Sequence, residues 1–182
     1  MKELTELEIN IAFDEALQLL LEKCSITSKE KVNLRDSLGR VLAEDIMAEE
    51  DIPKFKRSPL DGYAFRAQDT INANDRNPVT LEVIEEVPAG YVSKYKVTPG
   101  KAIKVMTGTA IPEGADAVVR YEKAKEEGHL VKIFSSFKSG QNIVPVGDDV
   151  VKSQIIAYKG QVLNAPLLGL FAALGITEVW VY

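Results

Sequence analysis

The chain has 182 residues, of which 46% are hydrophobic and 27% charged, a composition typical of a globular protein with a buried core. Its net charge of -5 argues against nucleic acid as the main partner, because that affinity rests largely on Lys and Arg. The single cysteine excludes internal disulfides and a cysteine-based zinc site. With neither a signal-peptide pattern nor the roughly 18–20 apolar residues of a membrane span, we expect a cytoplasmic protein without membrane contact.

The first predicted element is a helix near the N-terminus. Apolar residues over 9–20 recur at the spacing of one helical face, which we expect to be buried. Thr5 and Glu8 match a capping box at its start. A second short helix is predicted over 34–42, although Gly39 inside it costs about 1 kcal/mol relative to alanine.

From Pro53 onward, short β-prone runs alternate with Gly, Pro, Asn and Asp. The polar loop 123–128 predicts a hairpin between the last two runs. The strands predicted from these runs cover residues 79–87, 102–107, 117–122 and 129–134.

The C-terminal part predicts mixed structure. Two short strands are expected around Lys159-Gly160, followed by a helix with Asn164 as its N-cap and Gly175 as its stop, and then a strand over 176–182. Because this helix is strongly apolar, it packs either on its own domain's core or on a partner chain, and we favour the core.

These elements predict a mainly β fold with helices, of the α+β class. We expect a β-rich domain formed by residues 53–141. It is inserted into a small mixed α/β domain formed by residues 1–52 and 142–182.

Common catalytic motifs are missing from the sequence. It has neither the phosphate-binding loop nor the dinucleotide fingerprint. The one histidine, His129, begins a predicted strand, and no nucleophile elbow accompanies it. With one His and one Cys, a metal site built from soft ligands is disfavoured, while a hard cation held by carboxylates stays open.

Three loop-like stretches remain: "SPLDGYA" at 58–64, "MTGTAIPEGADAVV" at 106–119 and "GQNIVPVGDDV" at 140–150. Taken singly, each has an ordinary explanation, because Asp-Gly steps form turns and small-residue loops join strands. The second loop also suits an oxyanion, since such loops expose N–H groups and hydroxyls. In the third, Asp148 and Asp149 are either solvated turn residues or metal ligands.

Together and in this order, the three stretches resemble the N-terminal half of the molybdopterin molybdenumtransferase family, called MoeA in bacteria and the gephyrin E domain in animals. The resemblance covers nearly the whole chain, from "EALQLLLE" to "GITEVWVY". It implies an enzyme that inserts molybdate into adenylylated molybdopterin and releases AMP, with Mg²⁺. It also implies a homodimer with a β-rich inserted domain, a molybdopterin-binding domain and a C-terminal β-barrel.

The resemblance also implies roles for individual residues. Asp61 would bind metal or water, or orient the substrate, and Thr107 and Gly108 would contact anionic substrate through hydroxyl and N–H groups. The sequence ends where the resemblance places the molybdopterin-binding domain, so we expect one wall of a cleft completed by that domain, from the same or a partner chain. Weaker candidates are Ser58, Gly62 and Glu122 for substrate binding and Asp148 and Asp149 for metal binding.

The chain departs from the family pattern at several positions. Leu60 replaces a methionine, and Lys56, the first residue of the pair Lys56-Arg57, is basic where the family usually has an acidic or neutral residue. Val144 stands where the pattern N-[VI]-R-x-x-G-E-D has arginine, so the third loop loses a group suited to oxyanions. A second hypothesis is therefore a non-catalytic dimerisation or scaffold module of the gephyrin type.

Overall fold

The structure, a computed structural model, describes residues 11–182. Contacts divide the chain into a terminal unit, Met1–Ile46 with Ile156–Tyr182, and a central unit, Met47–Ile155. None of the helices in the described part is long and apolar enough to cross a membrane. In chain order the elements are α1 (Phe13–Lys23), β1 (Glu30–Asn33), β2 (Ile46–Met47), β3 (Gly62–Phe65), β4 (Val79–Val87), β5 (Lys101–Val105), β6 (Ala117–Arg120), β7 (Ala124–Glu127), β8 (Leu130–Ile133), β9 (Ile155–Ala157), α2 (Ala165–Ala173) and β10 (Glu178–Val181).

The central unit is built on one six-stranded sheet with the order β6-β3-β5-β4-β8-β7. Strand β3 lies between β5 and β6 and is antiparallel to both, and β4 and β5 are parallel. All four β3 residues are buried, because the sheet is covered on both faces. Tyr63 and Phe65 pack into one apolar cluster and Ala64 into another, which is the two-residue alternation of a strand.

The terminal unit has its own apolar cluster around α2. The antiparallel pair β1–β10 contributes to it, and Phe171 of α2 is fully buried within it. As predicted, α2 begins at Asn164, whose side chain accepts a 3.0 Å hydrogen bond from the Leu167 N–H, and ends before Gly175 at φ +78°. Phe171 thus packs on the core of its own unit, the position that the sequence analysis favoured for this helix.

The overall class is confirmed: strands dominate and two helices accompany them. Strand β4 has the predicted bounds. Strands β2 and β9 form a separate two-stranded sheet, and the division between the units falls inside both. Residues 47–52 and 142–155 belong to the central unit, as the antiparallel bridge between Ile52 and Val150 illustrates.

Several local predictions were wrong. Residues 34–42 form only a 3-10 turn, Leu34–Asp36, because Gly39 at φ +78° turns the chain away from a helix. The expected loop at 123–128 contains β7, which forms the hairpin with β8, so β6 pairs with β3 instead. His129 lies in the exposed turn of that hairpin rather than in a strand.

Helix α1 forms as predicted, but none of its residues is buried. Phe13 is 79% exposed and Leu20 65% exposed, and no apolar cluster among the described residues includes them. The apolar spacing predicted an amphipathic helix but not what covers it. The capping box expected at Thr5 and Glu8 lies outside the described residues.

Candidate active site

Asp61 and Thr107 are in direct contact in the central unit. Asp61 lies just before β3, and Thr107 lies just after β5, which is hydrogen-bonded to β3. Asp61 Oδ1 accepts hydrogen bonds from the Thr107 N–H at 2.7 Å and from the Thr107 hydroxyl at 2.8 Å. The two residues that the sequence predicted as catalytic therefore form one exposed pair, the Asp61–Thr107 pair.

The Asp61 carboxyl is held in its charged form. The backbone hydrogen bond from Thr107, followed by the hydroxyl hydrogen bond, lowers its pKa below the ordinary value of 3.8. Both bonds end on Oδ1, and Oδ2 receives no hydrogen bond from residues 11–182. The pair therefore presents acceptor atoms to solvent at neutral pH.

The Asp61 backbone is held from the β6 side. Its carbonyl accepts a 3.2 Å hydrogen bond from the Tyr121 N–H. The Tyr121 ring packs edge-on against Tyr63, with centroids 5.2 Å apart, and the Tyr63 hydroxyl donates to Glu126 Oε2 at 2.7 Å. Burial, followed by this hydrogen bond, raises the pKa of Tyr63, so the phenol stays protonated. Sequence reasoning missed Tyr121, because a backbone contact leaves no signal in the residue type.

The loop after β5 uses its N–H groups internally. Besides the Thr107 N–H, the Gly108 N–H donates to the Ser58 carbonyl at 2.8 Å, and the Thr109 N–H donates to the Met106 carbonyl at 3.0 Å. The Thr107 hydroxyl proton is also engaged by Asp61. The predicted contact of Thr107 and Gly108 with an oxyanion through these donors is therefore not supported by this geometry.

Ser58 and Gly62 have structural positions. Ser58 is 1% exposed, and its hydroxyl donates to the Leu60 carbonyl at 2.5 Å. Gly62 is buried at the start of β3, where a Cβ atom would lie 1.9 Å from the Val119 carbonyl oxygen. Neither residue presents a side-chain group to a substrate here.

The remaining candidates, Glu122, Asp148 and Asp149, are exposed. Glu122 lies in the 3-10 turn Tyr121–Lys123, directly after β6. Asp148 and Asp149 lie in the third loop, where Asp149 Oδ2 is 3.9 Å from Arg57 Nη2. Their predicted roles stay predictions.

The predicted acidic ligands do not form a metal cage within this chain. Among residues 11–182, no group of three or more His, Cys, Asp or Glu side chains is arranged to hold a metal ion. A Mg²⁺ ion held mainly by substrate phosphates needs only one or two carboxylates, and Asp61 Oδ2 is available as one. The described residues therefore offer such an ion one protein ligand, the Asp61 carboxylate.

Comparison with known proteins identifies the family. Residues 11–175 match the family model described as the MoeA N-terminal region, domains I and II. The chain belongs to the MoeA N-terminal region family. It is 41% identical over 173 residues to the molybdopterin molybdenumtransferase of Bacillus subtilis (strain 168) and 38% identical over 169 residues to that of Staphylococcus epidermidis (strain ATCC 35984). The resemblance drawn from the motifs is confirmed.

The structural comparison agrees. The crystal structure of the molybdopterin biosynthesis MoeA protein from Pyrococcus horikoshii OT3 superposes with a TM-score of 0.89 at 51% identity. That match covers 92% of this chain and 45% of the other. Each of the two curated relatives is matched over 93% of this chain but over only 40% of its own length. The chain therefore spans about two fifths of the curated relatives it matches.

Proposed function

We propose that this chain supplies one wall of the active cleft of a molybdenum-inserting enzyme. The reaction would convert molybdate and adenylylated molybdopterin to the molybdenum cofactor and AMP. Membership of the MoeA N-terminal family supports a place in molybdenum cofactor biosynthesis. The observation that carries the finer proposal is the Asp61–Thr107 pair, in which the two most distinctive motifs meet at one exposed point.

The chemistry of the pair suits donors and cations on the substrate. Asp61 is ionised, and Thr107 uses its hydroxyl proton on Asp61, so both side chains offer only lone pairs. Such a surface orients N–H or O–H groups of a bound substrate, or a cation that accompanies it. Two hydrogen bonds fix the Asp61 carboxylate before the substrate binds. Little side-chain entropy is therefore lost in the binding step.

The remaining parts of the proposal concern partners. The cleft would be completed by a molybdopterin-binding domain, in the same chain or in a second copy, within a homodimer. Mg²⁺ would bind mainly to the substrate's phosphates, with at most one carboxylate of this wall as a further ligand. The cytoplasmic location stays a prediction.

The test is a chimera in which this chain replaces the matching region of the Bacillus subtilis relative, expressed in cells that lack their own enzyme. Active molybdenum cofactor is measured through a molybdoenzyme reporter. Asp61→Asn should lower cofactor formation by about 10²-fold, the loss expected when a positioned group is misplaced. Thr107→Val, which keeps the N–H but removes the hydroxyl, should lower it by about tenfold.

Thr107→Ser is the matched control, because it keeps both bonds to Asp61, and it should retain most of the activity. Circular dichroism of each chimera shows whether folding is unchanged. Normal cofactor formation with Asp61→Asn and Thr107→Val would remove the pair from the site. A folded chimera that forms no cofactor but self-associates would favour the scaffold hypothesis.

A further inference from the structure

The backbone of Arg57 is anchored between the second and third loops. It forms antiparallel bridges with Ala110 on one side and Val144 on the other. Its N–H donates to the Val144 carbonyl at 3.1 Å, and its carbonyl accepts from the Val144 N–H at 3.0 Å. Ala110 lies in the same loop as Thr107, so the backbone holds Arg57 next to the second motif.

The guanidinium of Arg57 is only weakly paired among residues 11–182. Its Nε atom is buried without a hydrogen-bond partner in the described part of the chain, whereas buried donors in proteins are nearly always bonded. The closest carboxylate, Asp149, lies 3.9 Å from Nη2, which is too far for a hydrogen bond. The side chain is 42% exposed, so part of the guanidinium faces solvent. The exposed part of such a forked cation suits an oxyanion.

The bridge to Val144 relates Arg57 to the departure from the family pattern. Val144 stands where the pattern has arginine. Residues directly opposite in an antiparallel pair project from the same face, with Cβ atoms about 4.5–5.5 Å apart. A guanidinium at position 57 therefore reaches the region that one at position 144 would reach.

The loop after β5 offers an anion no free backbone donor at residues 107–109. The N–H groups of Thr107, Gly108 and Thr109 are all used within the protein. We propose that the Arg57 guanidinium is the oxyanion-binding group of the wall that carries the Asp61–Thr107 pair, taking a tetrahedral dianion such as molybdate or a phosphate monoester. The site deepens the proposed function and rests on it, because those anions belong to the same reaction. Asp149 competes with the anion for the guanidinium.

The experiment measures anion binding to the 182-residue chain at pH 7 by calorimetry and by NMR. The probes are sodium molybdate, inorganic phosphate and AMP. Arg57→Ala should weaken binding by about tenfold or more, the loss expected for a charge-assisted contact. Asp149→Asn should strengthen it by about two- to threefold, because a weak surface competitor is removed. Arg76→Ala, which removes the same charge from an exposed loop residue, should leave binding unchanged.

The decisive variant is the double change Arg57→Ala with Val144→Arg, which should restore binding to within about threefold of the original. Folding of every variant is checked by its NMR spectrum. Tighter binding of molybdate than of AMP would identify the metal oxyanion as the ligand. Tighter binding of AMP would identify a phosphate group of the substrate as the ligand. The proposal fails if the original chain binds none of the probes, if Arg57→Ala binds as tightly, or if the folded double variant does not recover. Because binding is measured without turnover, an inactive chimera with intact binding would reject only the proposed function.

Discussion

The central and terminal units use apolar residues differently. The central unit covers both faces of its sheet, so that every residue of β3 is buried. The terminal unit has one cluster around Phe171, while α1 contributes no buried residue. The candidate site belongs to the central unit, at the ends of buried strands. Because Asp61 and Thr107 flank the paired strands β3 and β5, the register of a buried sheet sets their relative position.

Substitutions in the two helices should differ most in their effect on the free energy of unfolding. Phe171→Ala should reduce the free energy of unfolding by about 3–5 kcal/mol, because a fully buried ring leaves a cavity. Leu20→Ala on α1 should change it by less than about 0.5 kcal/mol. Chemical denaturation followed by fluorescence of Trp180, the single tryptophan, measures both. A large loss for Leu20→Ala would show that α1 is covered in solution.

Substituting one glycine in each unit tests the difference in packing between the units. Gly62→Ala should destabilise the central unit by about 3 kcal/mol, because its Cβ would lie 1.9 Å from the Val119 carbonyl oxygen. Gly169→Ala in α2 is the control, since a Cβ there has no atom within 4 Å. It should stabilise the chain by up to about 1 kcal/mol through helix propensity. Urea denaturation gives both values, and a neutral Gly62→Ala would contradict the packed β3–β6 contact.

Within the central unit, Glu127 makes an acid-sensitive contact away from the site. Hydrogen bonds from Lys132 at 2.7 Å and Lys125 at 2.9 Å lower the pKa of its carboxyl to about 2. Because the folded-state pKa is depressed, the contact stabilises the fold above the ordinary value of 4.5 and is lost as pH falls towards 2. Glu127→Gln should lose less stability over this window. Denaturation at low and high salt tests it, and since the carboxylate is exposed, salt should reduce the difference.

Asp61 should show an acid dependence of the same sign. Its pKa lies below 3.8 because of the Thr107 hydrogen bonds, so its contribution is present above that value and is lost as pH falls through the lowered pKa. Asp61→Asn should remove this part of the acid dependence. NMR titration of the Asp61 carboxyl in the original chain and in Thr107→Val gives a direct measurement. A pKa that does not rise in Thr107→Val would contradict the contact.

The sequence predicted features that depend on near neighbours. The ends of α2 follow from Asn164 and Gly175, and the bounds of β4 follow from its run of β-forming residues. The same local reasoning failed for β7, since the charged stretch 124–127 has weak strand propensity and forms a strand by pairing with β8. Charges suit an edge strand, but the edge position is not visible in the sequence.

By itself the sequence determined the family, the α+β class and the two motifs that contain Asp61 and Thr107, because motif order and local propensity are written in the residue types. Only the tertiary structure decided how those residues are used. It engaged the Thr107 donors with Asp61, enclosed Ser58 and left the Nε atom of Arg57 without an acceptor in the part of the chain that the structure describes. Those outcomes depend on which distant segments pair, and such pairing is set by burial across the sheet rather than by any single stretch of chain.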